Sequence, residues 1–265
     1  MKAWSLAGRS AGLCVMVLLA TGSASAAELH VMISAGFYEV YAECGPAFER
    51  ASGHRLITTR GPSIGDSLEA IPTRLARGEI ADVVIVYAVA VDELARREMV
   101  RADSRVNLAQ SQLGMVVRAG AAVPDISSVD ALKRTLLAST SIGYSDSGSG
   151  TYLTTTLFPK LGIGDQVAGK IRKIPGPPSG ELVAAVVARG DVEIGFQTVS
   201  ELIHTPGVTF AGLLPPEAQL TVIYAGAVTS ASRQPDAALE LLRFLASPEV
   251  AATLERAGLA PPAGR

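Results

Sequence analysis

Short apolar runs alternate along the chain with longer segments whose apolar positions recur every three or four residues. Residues 29–34 read as a strand, and residues 38–52 carry the helical spacing up to Gly53. Residues 55–59 predict a second strand, 66–77 a helix stopped by Gly78, and 81–87 a buried strand. The second half repeats this grammar. Strands are expected at 114–117, 140–144 and 192–196, and helices at 130–138, 151–161 and 181–189. A strand at 221–229 and two helices opened by Pro235 and Pro248 close the chain. Strands alternating with helices imply βαβ units and a mostly parallel sheet, the mark of the α/β class.

One echo supports two similar halves. Ala76-Arg-Gly-Glu79 precedes the strand of residues 82–87, and Ala188-Arg-Gly-Asp191 precedes that of residues 192–197. Two α/β lobes with terminal helices left over suggest a chain that crosses to a second lobe and returns. The expected division is residues 27–110 for the first part of lobe 1, 111–220 for lobe 2, and 221–265 for the return to lobe 1. The crossings fall near 109–113 and 218–224.

The first 26 residues stand outside this scheme. Lys2 and Arg9 form a positive start, residues 11–20 are apolar but too short to span a bilayer, and Ala24-Ser25-Ala26 is an A-x-A cleavage signal. They read as a signal peptide, which places the mature protein in the periplasm. Later apolar stretches are also too short to span a membrane. Of 23 basic residues, 21 remain after cleavage against 25 acidic ones, with no basic run dense enough for nucleic acid. Cleavage removes Cys14 and leaves Cys44 alone, so no internal disulfide forms, and Cys44 reads as part of a helix's apolar face.

Ligands of open α/β sheets bind beyond the carboxyl ends of strands. Suitable residues stand at four such places: Ser34 to Phe37, Arg60 to Ser63, Ser145 to Thr151, and Gln197 with Thr198. In the serine-glycine loop, unpaired N–H groups at a helix start suit an anion, glycine permits close approach, and Ser147, Ser149 and Thr151 add hydroxyls. Arg60 carries a planar fork suited to a carboxylate. The candidate ligand contacts are therefore Ser34, Gly36, Arg60, Ser63, Ser147, Ser149, Gly150, Thr151 and Gln197. His30, His54 and His204 show no metal-type spacing, and no dinucleotide fingerprint or P-loop is present, so no metal or cofactor is expected. Glu193 and Glu201 flank the fourth loop and read as ordinary surface charges.

These loops resemble those of the type 2 periplasmic substrate-binding proteins, in particular the molybdate-binding-like branch. The likeness is strongest in Gly61-Pro-Ser-Ile-Gly65, in residues 71–79, in residues 144–150 and in Glu193-Ile-Gly-Phe-Gln197. Within the branch the chain is most similar to aconitate isomerase, an enzyme built on the same fold. The resemblance implies a two-lobed fold enclosing one small anion. Molybdate binders hold their oxyanion with uncharged donors, including a first-loop serine and a tyrosine after the late strand. Here the first-loop position is Gly36, the late strand reads Phe196-Gln197, and Arg60 adds a charge that suits a carboxylate. An isomerase of this kind shifts an allylic proton and needs a base, for which Asp146, Tyr152 and Tyr87 are candidates. The alternative is a non-catalytic, monomeric binding protein that delivers an oxyanion or carboxylate to an ABC permease.

Overall fold

A computed structural model describes residues 26–65 and 67–262. The expected signal peptide lies almost wholly outside them, as does Asp66. The strands are β1 (Glu28–Ile33), β2 (Arg55–Arg60), β3 (Val83–Tyr87), β4 (Val106–Arg118), β5 (Ile142–Ser145), β6 (Ile171–Ile174), β7 (Ile194–Thr198), β8 (Val208–Leu213) and β9 (Thr221–Val228). They form a nine-stranded sheet in the order β2-β1-β3-β9-β4-β7-β5-β6, with β8 pairing β4 off this path. β1 pairs in parallel with β2 and β3, and β5 does the same with β6 and β7. Between these parallel sets run β4 and β9, antiparallel to each other and to their outer neighbours.

β4 is the link. Its first half, from Val106 to Gln112, pairs β9, and its second half, from Leu113 to Arg118, pairs β7 and β8. Alternation along the strands fills separate cores on either side of this link. In β3, Val83, Ile85 and Tyr87 face a cluster with Phe37, Phe48, Tyr224 and Leu241, while Val84 and Val86 face Met32, Val91 and Leu94. In the second lobe Leu113, Met115, Ile194 and Phe196 pack with Leu132 and Phe158, while Val116 packs with Val183 and Val187 on the opposite face. Each lobe is thus a sheet covered by helices on both faces. The architecture is α/β and two-lobed.

The helices that matter for the site are α1 (Ala35–Ser52), α2 (Ile71–Ala76), α3 (Ala88–Arg96), α4 (Val129–Ala138) and α5 (Gly148–Tyr152). α1 begins three residues before the expected Tyr38, with Ser34 at its N-cap. α2 is shorter than the expected 66–77. The chain before it turns back, Ile71 N–H donating to the Pro62 carbonyl at 3.0 Å, and Pro72 opens the helix. α5 begins at Gly148 rather than Thr151 and continues through a π-helical stretch, Leu153–Leu157. There Thr154 and Thr155 hydroxyls donate back to the carbonyls of Gly150 and Thr151 at 3.0 and 2.8 Å, a competition that loosens the α ladder. The echoed Ala-Arg-Gly segments do occupy matching places. Gly78 and Gly190 end helices in the left-handed region, at φ 81° and 83°, before β3 and β7.

Candidate functional site

Seven strands bring residues to one narrow pocket in the cleft. Ser34, Ala35 and Gly36 follow β1, Gly61, Pro62 and Ser63 follow β2, and Tyr87 ends β3. From the other lobe come Ser145, Asp146 and Ser147 at the end of β5, Gly176 and Pro177 after β6, and Gln197 and Glu201 at the end of β7. Tyr224 of β9 completes the wall. Carboxyl ends of parallel strands from two facing lobes therefore converge, as the strand-end rule requires. The free volume is about 20 Å³, room for about one water.

The polar lining is ordered. Ser63 Oγ accepts from Tyr87 N–H at 3.1 Å. Ser145 Oγ bonds Ser149 Oγ at 2.8 Å and Ser147 Oγ at 3.2 Å. Ser34 Oγ is buried without a partner at the first turn of α1, whose N-cap carries no side-chain bond. A buried hydroxyl left unpaired is costly, so it is available to a ligand. The rings of Tyr87 and Tyr224 meet edge-on with centroids 5.3 Å apart.

One carboxyl sits among these donors. Glu201 is 7% exposed. Its Oε1 accepts from Gln197 Nε2 at 2.9 Å and its Oε2 from Thr198 Oγ1 at 2.6 Å. Thr198 Oγ1 in turn lies 3.1 Å from Tyr224 OH, which joins the two walls of the cleft. Because Thr198 gives its proton to Glu201, Tyr224 is the donor in that second bond. Burial pushes the Glu201 carboxyl up from 4.5 to about 7, opposed by the Thr198 bond and by the charge of Arg60. Burial raises both Tyr87 and Tyr224 well above the usual phenol range, and the Glu201 charge adds to each shift. Both remain neutral hydroxyls at neutral pH.

The expected site residues divide into four groups. Ser34, Gly36, Ser63, Ser147, Gln197, Asp146 and Tyr87 line the pocket. Ser149 is buried one layer behind it, holding Ser145. Arg60 is not among the lining residues, though its charge reaches Glu201; its guanidinium carbon lies 4.1 Å from the centre of the Tyr38 ring and its buried Nε is unpartnered. Thr151, Gly150 and Tyr152 are elsewhere. Thr151 is exposed and donates to the Ser147 carbonyl at 3.2 Å. At Gly150 a Cβ would lie 1.8 Å from the Ser145 carbonyl oxygen, so this glycine serves helix-on-strand packing. The Tyr152 hydroxyl donates to the Ala218 and Gln219 carbonyls at 3.0 and 3.4 Å, beside the start of β9.

Besides the wall after β6, two polar side chains of the site escape the sequence reading. Glu201, read there as a surface charge, is buried, whereas its companion Glu193 does lie exposed and accepts from Thr140 N–H and Oγ1. Tyr224 supplies the phenol that the late strand lacks. Gly36 makes room for it, since a Cβ there would lie 1.8 Å from the Tyr224 hydroxyl. Among the described residues no group of three or more His, Cys, Asp or Glu side chains could hold a metal ion. None of the described helices is long and apolar enough to cross a membrane.

The model of the bacterial extracellular solute-binding proteins matches residues 29–260. This chain belongs to that family. Aconitate isomerase from a Pseudomonas species is 46% identical over 233 residues, which cover 88% of this chain and 87% of that enzyme. The fold of this solute-binding protein is also that of the periplasmic molybdate-binding protein of Azotobacter vinelandii. That structure has a TM-score of 0.71 at 16% identity over 88% of this chain and 99% of the other. The sulfate-binding protein of Mycobacterium tuberculosis matches with a TM-score of 0.71 at 18% identity, over 89% and 88%. The two-lobed architecture is therefore that of the type 2 periplasmic binding proteins.

Proposed function

We propose that this protein is an exported isomerase that interconverts trans- and cis-aconitate by an allylic proton shift. The observation that carries this reading is a titratable carboxyl buried inside an anion-type pocket. A carrier that only holds an anion gains nothing from a second negative group against it, because like charges repel strongly out of water. A proton-shift enzyme needs such a group. The 46% identity to aconitate isomerase across nearly the whole chain supports the same assignment. Ser34, Ser63 and Ser147 hydroxyls and the α1 N-terminus supply donors for substrate carboxylates, and Arg60 supplies positive charge. The test is purified protein with trans-aconitate in D₂O, followed by proton NMR. Formation of cis-aconitate above the uncatalysed control, unaffected by chelator, is the expected result. Tight binding without conversion overturns the enzyme.

The second reading is a monomeric carrier for an ABC permease. It is favoured by the family and by the hydroxyl-rich wall of Ser34, Ser63, Ser145 and Ser147. A thermal-shift comparison of molybdate, sulfate, citrate and both aconitates identifies an oxyanion carrier, which responds to the inorganic ions alone, while a carboxylate carrier binds an organic acid without converting it. Export is read from residues 1–26 and the family. Mass spectrometry of periplasmic protein, with the first residue at Ala27 or Glu28, is its check.

A further inference from the structure

We infer that Glu201 is the general base of this reaction, aimed into the pocket by Gln197 and Thr198 and tied to the opposite wall through Tyr224. The inference rests on the isomerase reading and adds the residue that performs it. Geometry selects Glu201 from the pocket's ionisable groups. Asp146 is only half-buried, and its Oδ1 accepts from Gly176 N–H at 3.1 Å, which commits it to holding the loop after β6. Tyr87 and Tyr224 are buried phenols, and that burial, with the Glu201 charge, disfavours their ionisation. Glu201 alone is buried, lines the cavity and has both oxygens fixed by uncharged donors. Two donated bonds orient a carboxylate without neutralising it, and they persist when it is protonated at a remaining lone pair.

Gln197 is itself held, since its Oε1 accepts from Val183 N–H at 2.9 Å. Its amide is thereby oriented with Nε2 toward Glu201, and the second lobe's helix Val183–Arg189 sets the geometry. The step balances within the substrate and this carboxyl. Glu201 takes a methylene proton, and the electron pair of the broken C–H bond spreads over the three allylic carbons and their carboxylates. The neutral acid then returns a proton to the far allylic carbon, the double bond moves, and the carboxylate is restored. Arg60 on β2, Tyr87 on β3 and Tyr224 on β9 are the charged and titratable groups whose influence reaches Glu201.

The experiment compares wild type, E201Q, E201D and T198V with trans-aconitate. E201Q is expected to lose turnover by about 10²–10⁴-fold, the span of a general base. Its trans-aconitate affinity by calorimetry should stay equal or tighten, because a repulsive charge is gone. Wild-type kcat/KM, which reports the free enzyme, should rise with pH through an apparent pKa near 7. T198V removes one donor to the carboxylate and should move that inflection upward, a change that a merely structural threonine would not produce. E201D should retain a measurable fraction of the activity that E201Q lacks. Retention of a tenth or more of kcat in E201Q overturns the assignment while leaving the isomerase intact. A wild type that binds trans-aconitate but never converts it overturns the function instead. If E201Q does not fold, the wild-type profile decides, and a kcat/KM flat between about pH 5.5 and 8 overturns the base.

Discussion

Taking Glu201 out of water changes how the whole protein responds to pH. Its carboxyl is raised in the folded state to about 7 from 4.5, chiefly by burial. The folded form therefore holds a proton that the unfolded chain has released, and stability falls as pH rises through this window. The contribution is fully present below about pH 4.5 and lost above about pH 7, with a size of about 3 kcal/mol. The expected outcome is a ligand-free melting temperature that declines from pH 5 to 8 more steeply in wild type than in E201Q. Parallel curves would show Glu201 to be solvated. Arg60 makes a second prediction. Its guanidinium stacks on Tyr38 and leaves a buried Nε without a partner, so a substrate carboxylate would gain a charged bond there. R60A should weaken trans-aconitate binding by about 1.5–3 kcal/mol by calorimetry. R60K should also bind more weakly, since an ammonium neither stacks nor forks. Unchanged affinity in both variants would place Arg60 outside the site. The place of Arg60 at the carboxyl end of a strand was legible in the sequence, and β2 ends on it. Glu201 was not, because its burial comes from β7 and a helix only four residues long, Val199–Leu202, which brings it over the first lobe. No local pattern distinguishes it from Glu193, which stayed in solvent.

At the scale of elements, the apolar runs and glycine stops were legible because each reflects a local constraint. The strands that the pattern did not show have clear reasons. β6 is Ile-Arg-Lys-Ile on the sheet's edge, with both charged residues exposed, so it lacks the continuous run of a buried strand. The first half of β4 carries Asn107, Gln110 and Gln112 because it passes between the lobes. The loop after β6 supplies Gly176 and Pro177 to the pocket, so missing the strand meant missing that wall. The serine-glycine segment divides, with Ser145, Asp146 and Ser147 lining the pocket and its later residues turned to the helix. Its composition suits an anion loop, yet the helix starts early, and Gly150 is needed where α5 crosses the end of β5. G150A should therefore destabilise the fold by about 1–3 kcal/mol in urea unfolding, through a clash with the Ser145 carbonyl. Its effect on kcat should be small at temperatures where it remains folded. A variant of wild-type stability with weakened ligand binding would restore Gly150 to the anion site.

Closure belongs to the whole molecule. A pocket with about 20 Å³ free cannot admit a six-carbon tricarboxylate, so the lobes must separate for the substrate to arrive and leave. Contacts between the rims oppose that separation. Ser179, in the loop after β6, donates to Glu69 Oε2 from its Oγ at 2.6 Å and from its N–H at 3.3 Å. Glu69 belongs to the first lobe, in the chain between β2 and α2. Nearby, a Cβ at Gly65 would lie 2.9 Å from the Asp146 carbonyl oxygen, so the two rims meet backbone to backbone. The Glu69–Ser179 contact is exposed, and exposed polar contacts are individually weak. It adds little to folding, but it forms only when the lobes are together, so all of it bears on the open–closed balance. E69A should leave the capture step from the open form unchanged, because the contact is absent there. It should speed release by about two- to fivefold and weaken affinity by the same factor. Tyrosine fluorescence in stopped flow can follow both rates, since Tyr87 and Tyr224 line the pocket. If release limits turnover, kcat rises in E69A, and if chemistry limits it, kcat falls as the closed fraction falls. A faster capture with unchanged release would mean that Glu69 acts by repelling the anionic substrate rather than by latching the cleft.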